Sequence, residues 1–210
     1  EYANDSWTQL GSDIDGEAAD DRSGNSVSIS SDGSRVAVGG FGNDGNGSAA
    51  GHVRVYEYAN DSWTQLGADI DGEAADDNSG WSVSINSAGD RMAIGAQEND
   101  GNGSNSGHVR VYEYANSSWT QLGSDIDGEA TYDLSGNSVS ISSDGSRVAV
   151  GAYGNDGTGS NAGHVRVYDY VNGSWTQVGE DIDGETGNDL SGSSVSMNFS
   201  GDRVAIGAPF

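Results

Sequence analysis

The apolar residues of the chain sit two positions apart in short stretches, and turns of Gly, Asn, Asp and Ser separate the stretches. At 26–30, Val27 and Ile29 alternate with serines; at 35–39, Val36 and Val38 flank the small Ala37. At 52–58 the chain reads His-Val-Arg-Val-Tyr-Glu-Tyr, and a fourth stretch spans 62–70. An alternation of period two is the signature of strands with one face covered, and it predicts four strands in this segment. Ser31-Asp32-Gly33 and Asn60-Asp61 supply tight turns, and the Gly- and Asn-rich loop 40–51 suits positive φ angles. An acidic connection, 71–79, leads onward. No stretch has the 3.6-residue period and caps of a helix.

The whole pattern then recurs. Tyr-(Ala/Val)-Asn-x-Ser-Trp-Thr-Gln begins at Tyr2, Tyr58, Tyr114 and Tyr170, a spacing of 56. The units run 1–56, 57–112 and 113–168, with a partial fourth at 169–210, and the first two agree at 43 positions. We expect residues 1–210 to form a single repeat domain and to belong to a longer chain. A period of this size indicates a solenoid, a propeller or a stacked array, in which each unit is covered by its neighbours. The expected fold is all-β, with tandem four-stranded antiparallel units of 56 residues arranged as β-propeller blades. An open linear stack of small sheets is the alternative.

Charge narrows the functional classes. The formal net charge is −25, from 33 acidic residues against 8 basic ones, all of them Arg. Phosphate-backbone binding needs the opposite sign, so no nucleic-acid partner is expected. There is no apolar run near the roughly 20 residues of a membrane helix, so no membrane insertion is expected. With no Cys, disulfides, thiolate metal sites and Cys nucleophiles are ruled out.

Ser-Gly-Asn-Ser-Val-Ser-Ile-Ser at 23–30, Asp-Gly-Ser-Arg-Val-Ala-Val-Gly at 32–39 and Gly-His-Val-Arg-Val-Tyr at 51–56 resemble the FG-GAP repeats of the integrin α-subunit propeller. Ala-Ile-Gly-Ala-Pro at 205–209 looks like the GAP element itself. The resemblance runs through every unit and implies propeller blades of the kind found in repeat-rich surface proteins of marine bacteria and algae. Two departures stand out. Ser23, Ser79, Ser135 and Ser191 occupy the place of the family's Phe, and the family's Asp-x-Asp-x-Asp-Gly calcium loop is replaced by the short turn at Asp32 and Gly33. Calcium binding is not carried over at that turn.

Asp13, Asp15 and Glu17 form an Asp-Ile-Asp-Gly-Glu run that returns as Asp69, Asp71 and Glu73, as Asp125, Asp127 and Glu129, and as Asp181, Asp183 and Glu185. Three carboxylates two residues apart, with a Gly to bend the chain, can bring oxygen ligands onto a hard cation such as calcium. A solvated acidic loop is the other reading. Asn43-Asp44-Gly45-Asn46-Gly47-Ser48 imitates the opening of a calcium loop without its closing Glu, and reads as turn chemistry. Seven Asn-x-Ser triplets make glycosylation candidates of Asn4, Asn60, Asn116 and Asn172, which share one turn before Trp, and of Asn46, Asn102 and Asn198.

His52, His108 and His164 open the third strand of successive units. A triad is normally a single constellation, whereas these are stamped out alike, which points to scaffold and to no catalytic residue. Trp7, Trp63, Trp119 and Trp175 are expected to pack between units rather than stack on sugars. Trp81 breaks the pattern where Asn25 and Asn137 stand. The resulting expectation is a non-catalytic structural or adhesive module, extracellular or at the cell surface. Its partners would be further copies, joined head to tail or edge to edge into a filament, and surface proteins or glycans. A glycan- or protein-binding propeller receptor is the alternative, and an enzyme the remote one.

Overall fold

Alternating Val and Ile between Ser and Ala give each unit a sheet with two usable faces, one on each side of the pleat. In the computed structural model, which describes residues 1–210, three such sheets are complete. The first orders Ser26–Ile29, Arg35–Gly40, His52–Ala59 and Ser62–Gln65 side by side, all antiparallel. The second uses Ser82–Ile85, Arg91–Ala96, His108–Ala115 and Ser118–Gln121; the third uses Ser138–Ile141, Arg147–Ala152, His164–Val171 and Ser174–Gln177. Register advances with the repeat, pairing Val38 with Arg54, Ile94 with Arg110 and Val150 with Arg166. Two-stranded hairpins flank the array: Tyr2–Ala3 with Ser6–Trp7, and Ser194–Met197 with Val204–Gly207. The fold is all-β, without helices, and no sheet closes into a barrel.

Between the third and fourth strands both turn residues lie left-handed, Asn60 at φ 51° and Asp61 at φ 62°. That is the twist-matched two-residue hairpin, and Asn and Asp tolerate it best after Gly. The stretch 62–70 differs from expectation. The fourth strand stops at Gln65, Gly67 turns at φ 82°, and Ile70–Asp71 returns as a two-residue strand on the head of the third. Gly67 is required on a second ground: a Cβ there would meet the Trp119 ring of the next unit at 2.8 Å.

The core lies between units, not within them. Ala37, Val53, Val55 and Ile70 of the first sheet pack against Val83, Ile85, Met92, Ile94 and Tyr112 of the second. The opposite face of that second sheet, with Ala93, Val109, Val111 and Ile126, packs against Val139, Ile141, Val148 and Val150 of the third. Each fully buried aliphatic side chain contributes about 1.5–3 kcal/mol, so a unit taken alone would expose most of its stabilising surface. The innermost strands also touch in sequence: Ser28 Oγ accepts from the Ile85 amide at 3.0 Å, Ser84 Oγ from Ile141 at 3.1 Å and Ser140 Oγ from Met197 at 2.9 Å. Ile29, Ile85, Ile141 and Met197, one per unit, line a single cavity of about 160 Å³. Four units thus meet along their inner strands, as open blades or stacked repeat sheets do.

Candidate functional site

The acidic runs, the histidines and the arginines meet where one unit abuts the next. His52 begins the third strand, and Arg54, two residues on, projects from the same face. The returning strand Ile70–Asp71 pairs Asp71 with His52 and so holds Asp69 beside the imidazole. Glu17 reaches over from the preceding connection. His52 Nδ1 lies 3.8 Å from Asp69 Oδ2 and 3.9 Å from Glu17 Oε2. The second junction reproduces this: His108 Nδ1 is 3.7 Å from Asp125 Oδ2 and 4.0 Å from Glu73 Oε2. In the third, His164 Nδ1 is 3.7 Å from Asp181 Oδ2, with Glu129 in the same group.

The three carboxylates of one run therefore do not converge. Asp69 serves the junction of His52, and Glu73, four residues on, serves that of His108. Asp71 lies in neither group, and neither does Asp15 or Asp127. Asp13 is held by Gln9 Nε2 at 2.8 Å, and no third strand lies beside its run. Asp183 pairs through its backbone with His164, and Glu185 follows outside the three groups. The divider is Gly72, whose amide bonds the Gly51 carbonyl at 2.8 Å and whose Cα leaves no room for a side chain against the Ala50 carbonyl.

The arginines partner the carboxylates. Arg54 Nη1 stands 3.5 Å from Glu17 Oε1, and Arg110 Nη1 stands 3.3 Å from Glu73 Oε1. Burial, with the Arg110 guanidinium beside it, lowers the His108 imidazole to about 4, so it is neutral at pH 7. Burial and Arg166 push His164 down likewise. A second set clamps units together: Arg35 donates twice to Glu57 and once to the Gly89 carbonyl of the following unit, at 3.2 Å. Arg91 and Arg147 do the same with Glu113 and Asp169, reaching Gly145 and Gly201.

The remaining candidates sort by their bonds. Asp32 Oδ1 accepts from the Ser34 amide and from the hydroxyls of Ser30 and Ser34, so that turn is closed by protein donors and does not fit the family's calcium loop. Asn43 Oδ1 takes the Gly45 amide and Asp44 Oδ1 the Ala49 amide, the chemistry of a turn. Asn46 Nδ2 donates to Gly72 O and Glu73 O, and Asn102 Nδ2 to Gly128 O and Glu129 O. Asn198 Nδ2 bonds Asp202 and Ser200. Asn4, Asn60, Asn116 and Asn172 sit exposed in the left-handed turns. Trp63, Trp119 and Trp175 donate Nε1 to Leu10, Leu66 and Leu122 of the preceding unit at 2.7–2.9 Å, each tilted on its own Tyr. Trp81 packs on Phe41 with centroids 4.8 Å apart and donates to Asn137 Oδ1 at 3.2 Å. Ser79 and Ser191, in place of the family's Phe, are buried and bridge to Gly51 and Gly163.

Fold and junctions together define a repeat module of the β-propeller kind. The FG-GAP repeat model matches residues 68–112 and 125–168, within the second and third units. Among solved structures, a putative 6-phosphogluconolactonase from Bacteroides uniformis aligns with a TM-score of 0.55 at 14% identity, covering 86% of this chain and 46% of that one. Hydrazine synthase of Kuenenia stuttgartiensis aligns with 0.55 at 12%, covering 94% and 44%. At such identity the likeness is one of fold, and the chain spans less than half the length of either structure. No curated protein matches the sequence.

Proposed function

We propose that the chain is a non-catalytic structural and adhesive repeat module, acting outside the cell or at its surface, whose partners include further copies of itself. The observation that carries this reading is the core shared between units, in which one unit's face is covered by the unit beside it. Val27 is 64% exposed and Ile29 60%, whereas their counterparts Val83 and Ile85 are 9% and 7% exposed under the neighbouring unit. A contact repeated in this way between near-identical units fits further copies of the same unit as partners, whether in a longer chain or in a second one. Three nearly identical polar junctions, with no unique constellation among them, favour scaffold over catalysis. The acidic surface, the likeness to FG-GAP repeats and the four exposed Asn turns, suited to glycans, support the extracellular setting.

Sedimentation and electron microscopy of the purified chain test the proposal. Association that rises with concentration, and is abolished by Val27→Asp with Ile29→Asp while far-UV circular dichroism is retained, is the expected result. A chain that stays monomeric at high concentration overturns it. A second reading, a glycan- or protein-binding receptor, draws on the Phe41–Trp81 pair with Arg22 5.4 Å over Phe41. Binding on a glycan panel that Trp81→Ala removes would favour it.

A further inference from the structure

We infer that the junctions at His52 and His108 are binding sites for a divalent transition-metal ion of the zinc class, held by one imidazole and two carboxylates. The first ground is the placing of the donors. In each group one Nδ1 and two carboxylate oxygens lie within 4.8 Å of one another, brought from the third strand and from two successive acidic runs. Ligand atoms on a tetrahedral zinc with bonds of roughly 2.0–2.2 Å stand about 3.3 Å apart. The observed Nδ1–oxygen separations of 3.7–4.0 Å exceed this by about half an ångström, a gap that rotation of the partly exposed Glu and Asp side chains can close. They are too long for the hydrogen bonds that would otherwise explain the arrangement.

The second ground is the imidazole itself. His52 is 1% exposed, and its Nδ1 has no hydrogen-bond partner although it points between two carboxylates; His108 is as deeply buried, and His164 Nδ1 also lacks a partner. A buried polar atom without a partner is costly and calls for a ligand. The third ground is the way each carboxylate is held. Asp69 gives Oδ1 to Gln65 and turns Oδ2 to His52; Glu17 gives Oε1 to Arg54 and turns Oε2 to His52. Gln121 and Arg110 do the same for Asp125 and Glu73 at His108. One oxygen is fixed and one is left free on every carboxylate, as outer partners of a metal centre leave them. A nitrogen with two carboxylates suits zinc-class ions, whereas calcium takes oxygen alone.

The third junction differs. Arg166 bonds both oxygens of Asp181, at 2.8 and 2.7 Å, and also pairs with Glu129. With the guanidinium on the oxygen that faces His164, that site is expected to bind much more weakly.

Cobalt(II), whose visible d–d absorption reports tetrahedral N/O coordination, is titrated into the full 210-residue chain, and zinc is then used to displace it. The band should saturate at two equivalents. Glu73→Gln and Asp125→Asn, both at partly exposed side chains, should each remove one equivalent or weaken it at least tenfold. Asp71→Asn, which alters the same run outside either group, should change nothing. Circular dichroism confirms that all variants are folded. Absence of the band overturns the assignment, as does a band that Asp71→Asn diminishes as much as Glu73→Gln, or one that calcium displaces as readily as zinc. A third equivalent of equal strength would overturn the blocking role given to Arg166.

Discussion

Ile29 and Ile85 occupy the same position of two nearly identical units, in the same Ser-Val-Ser-Ile strand, and differ mainly in whether a neighbour covers them. Replacing each by Ala in turn separates what a unit contributes alone from what its contacts contribute. The substitution deletes about three carbons, a transfer loss of about 2.4 kcal/mol at ~0.8 kcal/mol per methylene when burial is complete. Ile85, 7% exposed in the inter-unit core, should lose nearly all of that plus a cavity term, about 3 kcal/mol in total. Ile29, 60% exposed, should lose about 1 kcal/mol or less, since most of its surface is already wet and no cavity forms. Urea unfolding followed by tryptophan fluorescence gives both values on the same scale. Equal losses, or a larger loss at Ile29, would refute the claim that the stability resides in contacts between units.

Three further expectations rest on single positions. Gly95→Ala should cost on the order of 3 kcal/mol in thermal unfolding, because a Cβ there would strike the Gly136 carbonyl of the next unit. Gly207→Ala, which meets only the Ser194 side chain, should cost clearly less. Trp119→Phe removes the 2.8 Å bond to the Leu66 carbonyl and should lower stability by about 1 kcal/mol, while Trp7→Phe, at an exposed ring, should leave it unchanged. The Ser34 amide and the hydroxyls of Ser30 and Ser34 hold Asp32 at about 2, and like donors around Ser146 and Ser142 hold Asp144 down. A carboxyl lowered in the folded state stabilises above its ordinary value near pH 4, and that contribution fades as pH falls through the folded value. The thermal midpoint should therefore drop between pH 4 and 2, less steeply in Asp32→Asn, as calorimetry across that window would show.

What the sequence made legible was whatever is decided locally and repeated. Alternation placed the first three strands to within a residue or two, because Val and Ile every second position leave one face to cover. Asn60-Asp61 announced a hairpin because few other residues accept left-handed dihedrals at both positions. The fourth strand was misjudged because its end is set from outside: Gly67 turns where the Trp119 ring of the following unit arrives. Asp69, Asp71 and Glu73 are not gathered at one point, for a related reason. Alternate residues of an extended segment share a face, but Gly72, pressed against Ala50, redirects the chain before Glu73. Nothing near His52 in sequence shows that its two carboxylates come from different units.

That division has a consequence for how the array is held together. The two inner acidic runs, 69–73 and 125–129, each give their first Asp to one junction and their Glu to the next, so neither junction belongs to a unit. Arg54 is placed on the same principle: it contacts Glu17 by side chain and the Asp15 carbonyl at 3.0 Å, both from the preceding connection. Altering one run should therefore disturb two contacts, one on each side, while altering a His or its Arg should disturb one. Nearest-neighbour coupling in a repeat protein is usually ascribed to apolar faces alone. Here the buried His and Arg of every third strand add a polar term, whose sign depends on both adjoining runs keeping their charge.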